Sequence, residues 1–313
     1  MDVHVDGGYP STVMRSKIYR GEIVILSPTA ATKALVAHAA ALTEAAFAPH
    51  DPRLAHKHFT VAECVEILTQ LKPHFIHHPE TQLLLRDVLG AYGCDPGRTY
   101  QDVPRLRVAF PSDFLTAGIA YAHHPHRDTW YSAPKSQINW WLPIYPFLPE
   151  QGMAFHPQYW NRKIVNDSEQ FNYYRWNAEG RKNAAKETGV DTRYQPRAQE
   201  ALNLEPQICF VTPPGGTIVF SAAQLHSTIP NVTDTARWSI DFRTVDIGDV
   251  AEDIGAPIDD SLCTGTSLRD FKRMADFAPM PEEIAKAFDS GSLSAGVTVF
   301  RPDPHADQSE TVA

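Results

Sequence analysis

The chain has 313 residues, 43% of them hydrophobic and 21% charged, which is enough for an ordinary core in one large domain or two small ones. Its 28 Lys and Arg against 37 Asp and Glu leave a formal net charge of −9, which disfavours nucleic acid as a partner, because such binders carry a basic excess on one face. The four cysteines, Cys64, Cys94, Cys209 and Cys263, are scattered and spell neither a disulfide framework nor a zinc knuckle. No apolar stretch reaches the roughly 18 residues of a membrane span. Residues 1–11 show no basic region ahead of an apolar run. The expectation is a soluble, cytoplasmic protein.

In chain order, residues 1–15 read as a loose leader and residues 17–26, rich in β-branched side chains, as a first strand. Ser27-Pro28-Thr29 offers a helix start, followed by an Ala-rich helix over 30–47. Thr60 caps a second helix over 60–71, with Val61, Val65, Ile67 and Leu68 as its apolar stripe. Residues 79–89 form a third. Near Pro104 the texture changes. Residues 105–110, 118–124, 136–144, 207–212, 216–220 and 237–245 read as short strands split by Pro and Gly turns, which points to a β-sandwich or barrel and not to an alternating βαβ sheet. No glycine-rich nucleotide cradle is present. The polar segment 155–205 is either a lid over a binding site or a surface excursion with a helix or two. Short helices follow at 267–277 and 281–288, and residues 303–313 read as a disordered tail. A single domain over 1–302 is expected. It comprises a helical part at 28–95, a barrel core at 104–245 carrying the insert 155–205, and a helical extension at 250–300.

Chemistry concentrates at His126-Arg127-Asp128. Side chains at i and i+2 of a strand share a face, so His126 and Asp128 can reach one metal. A histidine nitrogen with a carboxylate oxygen suits Fe(II), and a distant histidine completes a facial triad that leaves positions open for a co-substrate and O2. His226, beyond the turn at 213–216 and the strand at 216–220, fits that part. Arg237, eleven residues on, offers a guanidinium to a carboxylate of a dicarboxylic acid. In the strand 237–243, Arg237, Ser239, Asp241 and Arg243 share one face, with Trp238, Ile240 and Phe242 on the other. The polar face lines either a charged cavity or a solvent edge, and the cavity is preferred because His226 precedes it. Of the 14 histidines, His56, His58, His77 and His78 fall in the helical third and read as surface or core residues. His123 and His124 adjoin the motif, where either can line the pocket without binding metal.

His126-x-Asp128, then His226, then Arg237 resembles the Fe(II)/2-oxoglutarate-dependent oxygenases, with the phytanoyl-CoA-dioxygenase-like branch closest in texture. The likeness covers about residues 104–245. It includes Ile138-Asn139-Trp140-Trp141-Leu142-Pro143 and Gln151-Gly152-Met153-Ala154-Phe155-His156-Pro157, where the family's Gly-Ser-His is missing. The resemblance implies an α+β chain built on a double-stranded β-helix (a jelly-roll or cupin-like barrel) with the N-terminal helices packed outside. It implies Fe(II) held by His126, Asp128 and His226, with 2-oxoglutarate and O2 as co-substrates and succinate and CO2 as products. Arg237 would anchor the far carboxylate of 2-oxoglutarate, with Arg243 as its rival, and Gln137 and Asn139 are candidates for polar contacts to it. Related halogenases carry a small residue where Asp128 stands, so hydroxylation or desaturation is favoured over halogenation.

Arg243, Arg107, Trp130, Tyr131 and His156 are candidate substrate contacts. The aromatics and arginines of the insert suggest a small polar or anionic metabolite, with neither nucleic acid nor membrane as a partner. Two other readings stand beside this one: a cupin-like metalloenzyme that works without 2-oxoglutarate, and a non-enzymatic binding protein on the same barrel.

Overall fold

The computed structural model describes residues 1–289; the tail expected at 303–313 and the end of the C-terminal extension lie outside them. The N-terminus is not a loose leader. Strand β1 (Val3–Val5) pairs in parallel with β2 (Ile23–Leu26), and helix α1 (Ser11–Tyr19) buries Met14, Ile18 and Tyr19. The strand expected at 17–26 therefore begins only at Ile23, after Gly21 has turned the chain at φ +84°. What holds α1 is remote in sequence. Arg15 donates to Asp249 at 2.6 Å, and the Tyr19 hydroxyl donates to the same carboxylate at 2.9 Å.

The helical layer follows local signals closely. Helix α2 (Ala30–Phe47) starts on a capping box between Thr29 and Thr32, and it buries Leu35, Val36, Ala39 and Phe47 on one stripe. After the short helix α3 (Ala55–His58), α4 (Val61–His77) opens on a Thr60–Glu63 capping box. It runs past Leu71 and through Pro73, because Cys64, Leu68, Leu71 and Phe75 continue one buried stripe. That burial outweighs the hydrogen bond that Pro73 cannot donate. Helix α5 (Pro79–Ala91) begins with Pro at its first position and His78 as its cap.

The β core comprises β3 (Thr99–Gln101), β4 (Arg105–Ala109), β5 (Ile138–Pro143), β6 (Met153–Phe155), β7 (Ile208–Cys209), β8 (Thr217–Ser221), β9 (His226–Thr228), β10 (Arg237–Asp246) and β11 (Lys272–Arg273). The large sheet runs β1-β2-β8-β5-β10-β3-β11, with β4 also paired to β10. A small sheet runs β7-β6-β9. In the large sheet, Trp140, Leu142, Trp238, Ile240 and Phe242 join the core shared with the helices. Trp141, Ile218 and Phe220 face inward and meet Phe155 of the small sheet.

The chain is thus α+β with a mainly β core, but the two sheets do not close into the expected barrel. Residues 118–124 are not a strand. Gly118–Ala120 forms a 3-10 turn with Gly118 at φ +59°, and the following stretch ends in Pro125, which has no N–H to give a ladder. The strand expected at 207–212 shrinks to Ile208–Cys209. At the metal motif, the pairing with β9 is a single antiparallel bridge between His126 and His226. The insert folds into short helical turns, among them Tyr173–Arg175 and Trp176–Gly180. The helix expected at 267–277 is a turn, Ser267–Asp270, followed by β11 on the sheet edge, and that expected at 281–288 spans Glu282–Ala287.

Candidate metal centre

His126, Asp128 and His226 come together and are buried, each offering one ligand atom within 4.8 Å of the others. His126 exchanges both backbone hydrogen bonds with His226, at 3.0 Å each, which sets the two rings side by side with centroids 4.4 Å apart. Asp128 does not sit on a strand. It opens the 3-10 helix Asp128–Tyr131, and its backbone N–H donates to Ala222.

The ring orientation is set by backbone carbonyls. His126 Nδ1 donates to His124 O at 2.8 Å, and His226 Nδ1 donates to Gln224 O at 3.0 Å. Each Nε2 then faces Asp128 Oδ1, at 3.4 and 3.9 Å. Burial, reinforced by the neighbouring His126, pushes the His226 imidazole down to about 4, so it is neutral at physiological pH. Burial alone would raise the Asp128 carboxyl. The contact with His126 and the charge of Arg243 outweigh it and hold the group well below the usual carboxylate range. Two imidazole nitrogens and one carboxylate oxygen, converging from one side, can bind Fe(II) as a facial triad.

Asn139 and Gln137 project from or just ahead of β5 toward the other carboxylate oxygen. Asn139 Nδ2 donates to Asp128 Oδ2 at 2.9 Å, and Gln137 Nε2 donates to Asn139 Oδ1 at 2.9 Å. Arg243 stands 3.7 Å from Asp128 Oδ2 and 3.5 Å from both Asp102 and Asp241. Arg107 is paired with Asp241 at 2.7 Å. Both arginines line the cavities at the triad, but each already faces carboxylates of the protein.

Two adjoining cavities meet at the triad. The inner one is lined by the triad, Asn139, Trp141 and Arg237. Arg237 is buried, and its guanidinium lies over the Trp141 ring at 5.4 Å. It donates to Gln151 O at 3.0 Å and to Ser239 Oγ at 2.6 Å. No carboxylate of the described residues pairs with it. Burial lowers its pKa to about 10, which still leaves it charged near neutrality. The outer cavity opens from the triad toward Tyr131, Phe171, Trp176 and Arg193, so the 155–205 segment supplies part of its wall.

The remaining candidates separate. Tyr131 lines the outer cavity, its ring edge-on to His126 at 5.4 Å. Trp130 lines neither cavity. It is fully buried with Tyr159, Ile164 and Leu225, and its Nε1 donates to Asp260 at 2.7 Å. His156 is also fully buried outside both, bonded to Leu204 O and Ser227 Oγ. Neither Trp130 nor His156, expected as substrate contacts, lines the two cavities. Of the two neighbours of the motif, His123 lines both cavities, and its ring stacks on His126 at 4.9 Å.

Sequence reasoning missed two residues. Arg127, between the ligands, points away from the metal position and is fully buried. It donates to the carbonyls of Ala223, Tyr159 and Arg162 at 2.7–2.9 Å and lies 3.3 Å from Asp260. Its signal was available: a residue flanked by i and i+2 ligands must face the opposite side. Lys72 of α4 lines both cavities, and nothing in a helical pattern marks it.

No family model matches the chain, and no curated protein matches it. Solved structures similar to it include EvdO2 from Micromonospora carbonacea var. aurantiaca complexed with 2-oxoglutarate, at 13% identity over 79% of this chain and 94% of that one, with a TM-score of 0.42. The non-heme monooxygenase ThoJ matches at 13% identity over 75% and 77%, TM-score 0.40. The non-heme alpha ketoglutarate dependent epimerase SnoN from nogalamycin biosynthesis matches at 12% identity over 76% and 85%, TM-score 0.38. Overlaps this slight leave the chemistry of this chain to be argued from its own atoms.

Proposed function

We propose that this protein is an Fe(II)/2-oxoglutarate-dependent oxygenase that hydroxylates or desaturates a small polar metabolite. One observation carries the reading. Two Nε2 atoms and Asp128 Oδ1 converge at a cavity that also holds Arg237, a buried cation with no carboxylate partner among the described residues. A buried charge left unpaired is costly, and a dicarboxylic co-substrate supplies its counter-charge.

His126, Asp128 and His226 hold the metal. Arg237, steered by Gln151 O and Ser239, receives the far carboxylate of 2-oxoglutarate, while Trp141 walls that end. Asn139 and Gln137 act on Asp128, keeping Oδ1 turned to the histidines. Fe(II) with 2-oxoglutarate and O2 supplies oxidative decarboxylation to succinate and CO2, coupled to oxidation of a substrate C–H bond. The protein's share is to orient the reactants and exclude water around them. A carboxylate at 128 occupies the position a halide needs, which favours hydroxylation or desaturation over halogen transfer.

A small-molecule substrate suits the outer cavity, and the acidic balance of the chain speaks against nucleic acid. No helix of the described residues is long and apolar enough to cross a membrane. No disulfide joins the cysteines of the described residues, which suits a reducing cytoplasm.

The test is succinate release that requires Fe(II), 2-oxoglutarate and O2 together, lost in Asp128→Ala. Under anaerobic conditions the Fe(II) chelate of 2-oxoglutarate gives a weak visible charge-transfer band. Metal binding without that band would favour a cupin-like enzyme that needs no 2-oxoglutarate.

A further inference from the structure

The cations around the two cavities fall into two sets. Arg105 pairs with Asp102, Arg107 with Asp241, Arg181 with Asp270, Arg193 with Asp191, and Arg243 with Asp102 and Asp241. Arg237 and Lys72 have no carboxylate within ion-pair reach among the described residues. Arg237 is accounted for by the co-substrate. Lys72 is not.

Lys72 reaches from α4 to the place where the cavities meet, and it lines both together with His126 and Asp128. Its ammonium donates to the carbonyl of Ile119, which leaves two of its three N–H groups for a ligand. Arg107 and Arg193 stand near it, each paired with a carboxylate, and Asp241 partly offsets their charge. The turn that offers the Ile119 carbonyl is tied to the insert, since Arg193 donates to Gly118 O at 3.0 Å and Gly118 N donates to Asp191 at 2.8 Å. Four residues that line the same outer cavity each carry a buried polar atom with no hydrogen-bond partner among the described residues: the Tyr131 hydroxyl, Ser267 Oγ, Gln195 Oε1 and His123 Nδ1. Buried polar atoms are nearly always paired in folded proteins, so four around one cavity mark the place of a polar ligand.

We propose that the outer cavity takes its substrate by an oxyanion, a carboxylate or a phosphate group, seated on Lys72 with Arg107 and Arg193 beside it. Tyr131, Ser267 and Gln195 hydrogen-bond the rest of the molecule. This names the substrate class for the oxygenase reading above and rests on that reading for the word substrate. The ammonium is a poor structural element where it stands. One backbone carbonyl is its hydrogen-bond partner, and no carboxylate of the described residues balances its charge. A group that burdens the fold and faces the reaction site is placed for binding.

The experiment is calorimetric titration of the iron-free protein at low salt and pH 6.5 with three kinds of probe. Inorganic phosphate and glycerol 3-phosphate form one arm, acetate and 3-hydroxybutyrate a second, and glycerol the neutral control. Binding of one anionic arm, no binding of glycerol, and a loss of about tenfold or more in Lys72→Met are expected. Lys72→Arg keeps the affinity within a few-fold, and Lys72→Met melts at or above the wild-type temperature. The proposal is overturned if neither anion binds or if Lys72→Met binds like the wild type. It is also overturned if Lys72→Met and Lys72→Gln both fail to fold, because Lys72 is then a clamp on the Ile119 turn. Succinate release by the iron-loaded enzyme is scored separately. Lys72-dependent anion binding without any succinate sinks the oxygenase reading and leaves the subsite standing. Succinate without Lys72-dependent binding removes the subsite alone.

Discussion

Asn139 donates its side-chain amide to Asp128 Oδ2 at 2.9 Å, and by occupying that oxygen it leaves Oδ1 directed at His126 and His226. The contact joins a strand of the large sheet to a carboxylate on a 3-10 turn eleven residues earlier. The expected consequence of Asn139→Ala is a folded protein whose affinity for Fe(II) or a surrogate divalent ion falls roughly 10- to 100-fold, the usual loss when an outer partner of a ligand is removed. Metal titration followed by a melting curve measures both. Unchanged metal affinity would mean that Gln137 and Arg243 suffice to orient Asp128.

Arg237 and Arg243 are expected to part company. Arg237→Met should weaken 2-oxoglutarate binding by roughly 10- to 150-fold, equivalent to the about 1.5–3 kcal/mol of a hydrogen bond to a charged group, with metal affinity held. Arg243 touches Asp128, Asp102 and Asp241, so Arg243→Met should lower metal affinity first. Binding of metal and of 2-oxoglutarate, measured separately for each variant, shows the split. The opposite pattern would give the co-substrate to Arg243.

Arg127 is expected to be intolerant. Arg127→Met leaves three carbonyls and the Asp260 carboxylate short of a donor in the interior, which should cost about 3–5 kcal/mol in chemical denaturation. Arg127→Lys should recover little, since one ammonium cannot span those carbonyls in a planar fork. Proteolysis within 155–205 should rise in both variants, because two of the carbonyls belong to Tyr159 and Arg162. A loss below about 1 kcal/mol would show that water replaces the guanidinium.

Lys72 carries a pH signature. Burial, with the charge of Arg107 added and Arg193 contributing, pushes its ammonium down to about 7, while Asp241 opposes the shift. The unfolded chain keeps the ordinary lysine value of about 10.4. Between those values the unfolded state holds the extra proton, so this residue makes the fold more stable as pH rises from 7 toward 10. The gain is on the order of 1–3 kcal/mol once screening by the open cavity is allowed for. Urea melts of wild type and Lys72→Met across that range should converge at high pH and separate below pH 7, with the variant the more stable. Parallel curves would contradict the shift.

Much of the frame was legible because its signals are local. The capping boxes at Thr29 and Thr60 mark where α2 and α4 begin, since a cap involves residues three apart. The alternation along β10 puts Trp238, Ile240 and Phe242 in the core with the helices and Arg237 and Arg243 on the cavity, as a period of two requires. The spacing of His126, Asp128 and His226 likewise singled out three residues that the fold brings within 4.8 Å. Tertiary structure decided what depends on partners far away in sequence. Residues 11–19 become a helix because Asp249 holds Arg15, a contact across 234 residues that no pattern near either one announces. Trp130 and His156 carry the same chemistry whether they face a cavity or the core, and their surroundings placed them in the core. Lys72 looks like any solvated helix lysine until the Gly118–Ala120 turn and the outer cavity close around it. Local sequence determines periodicity and caps, which act over a few residues. Burial and charge pairing act through space, and they alone settled which polar groups face the metal.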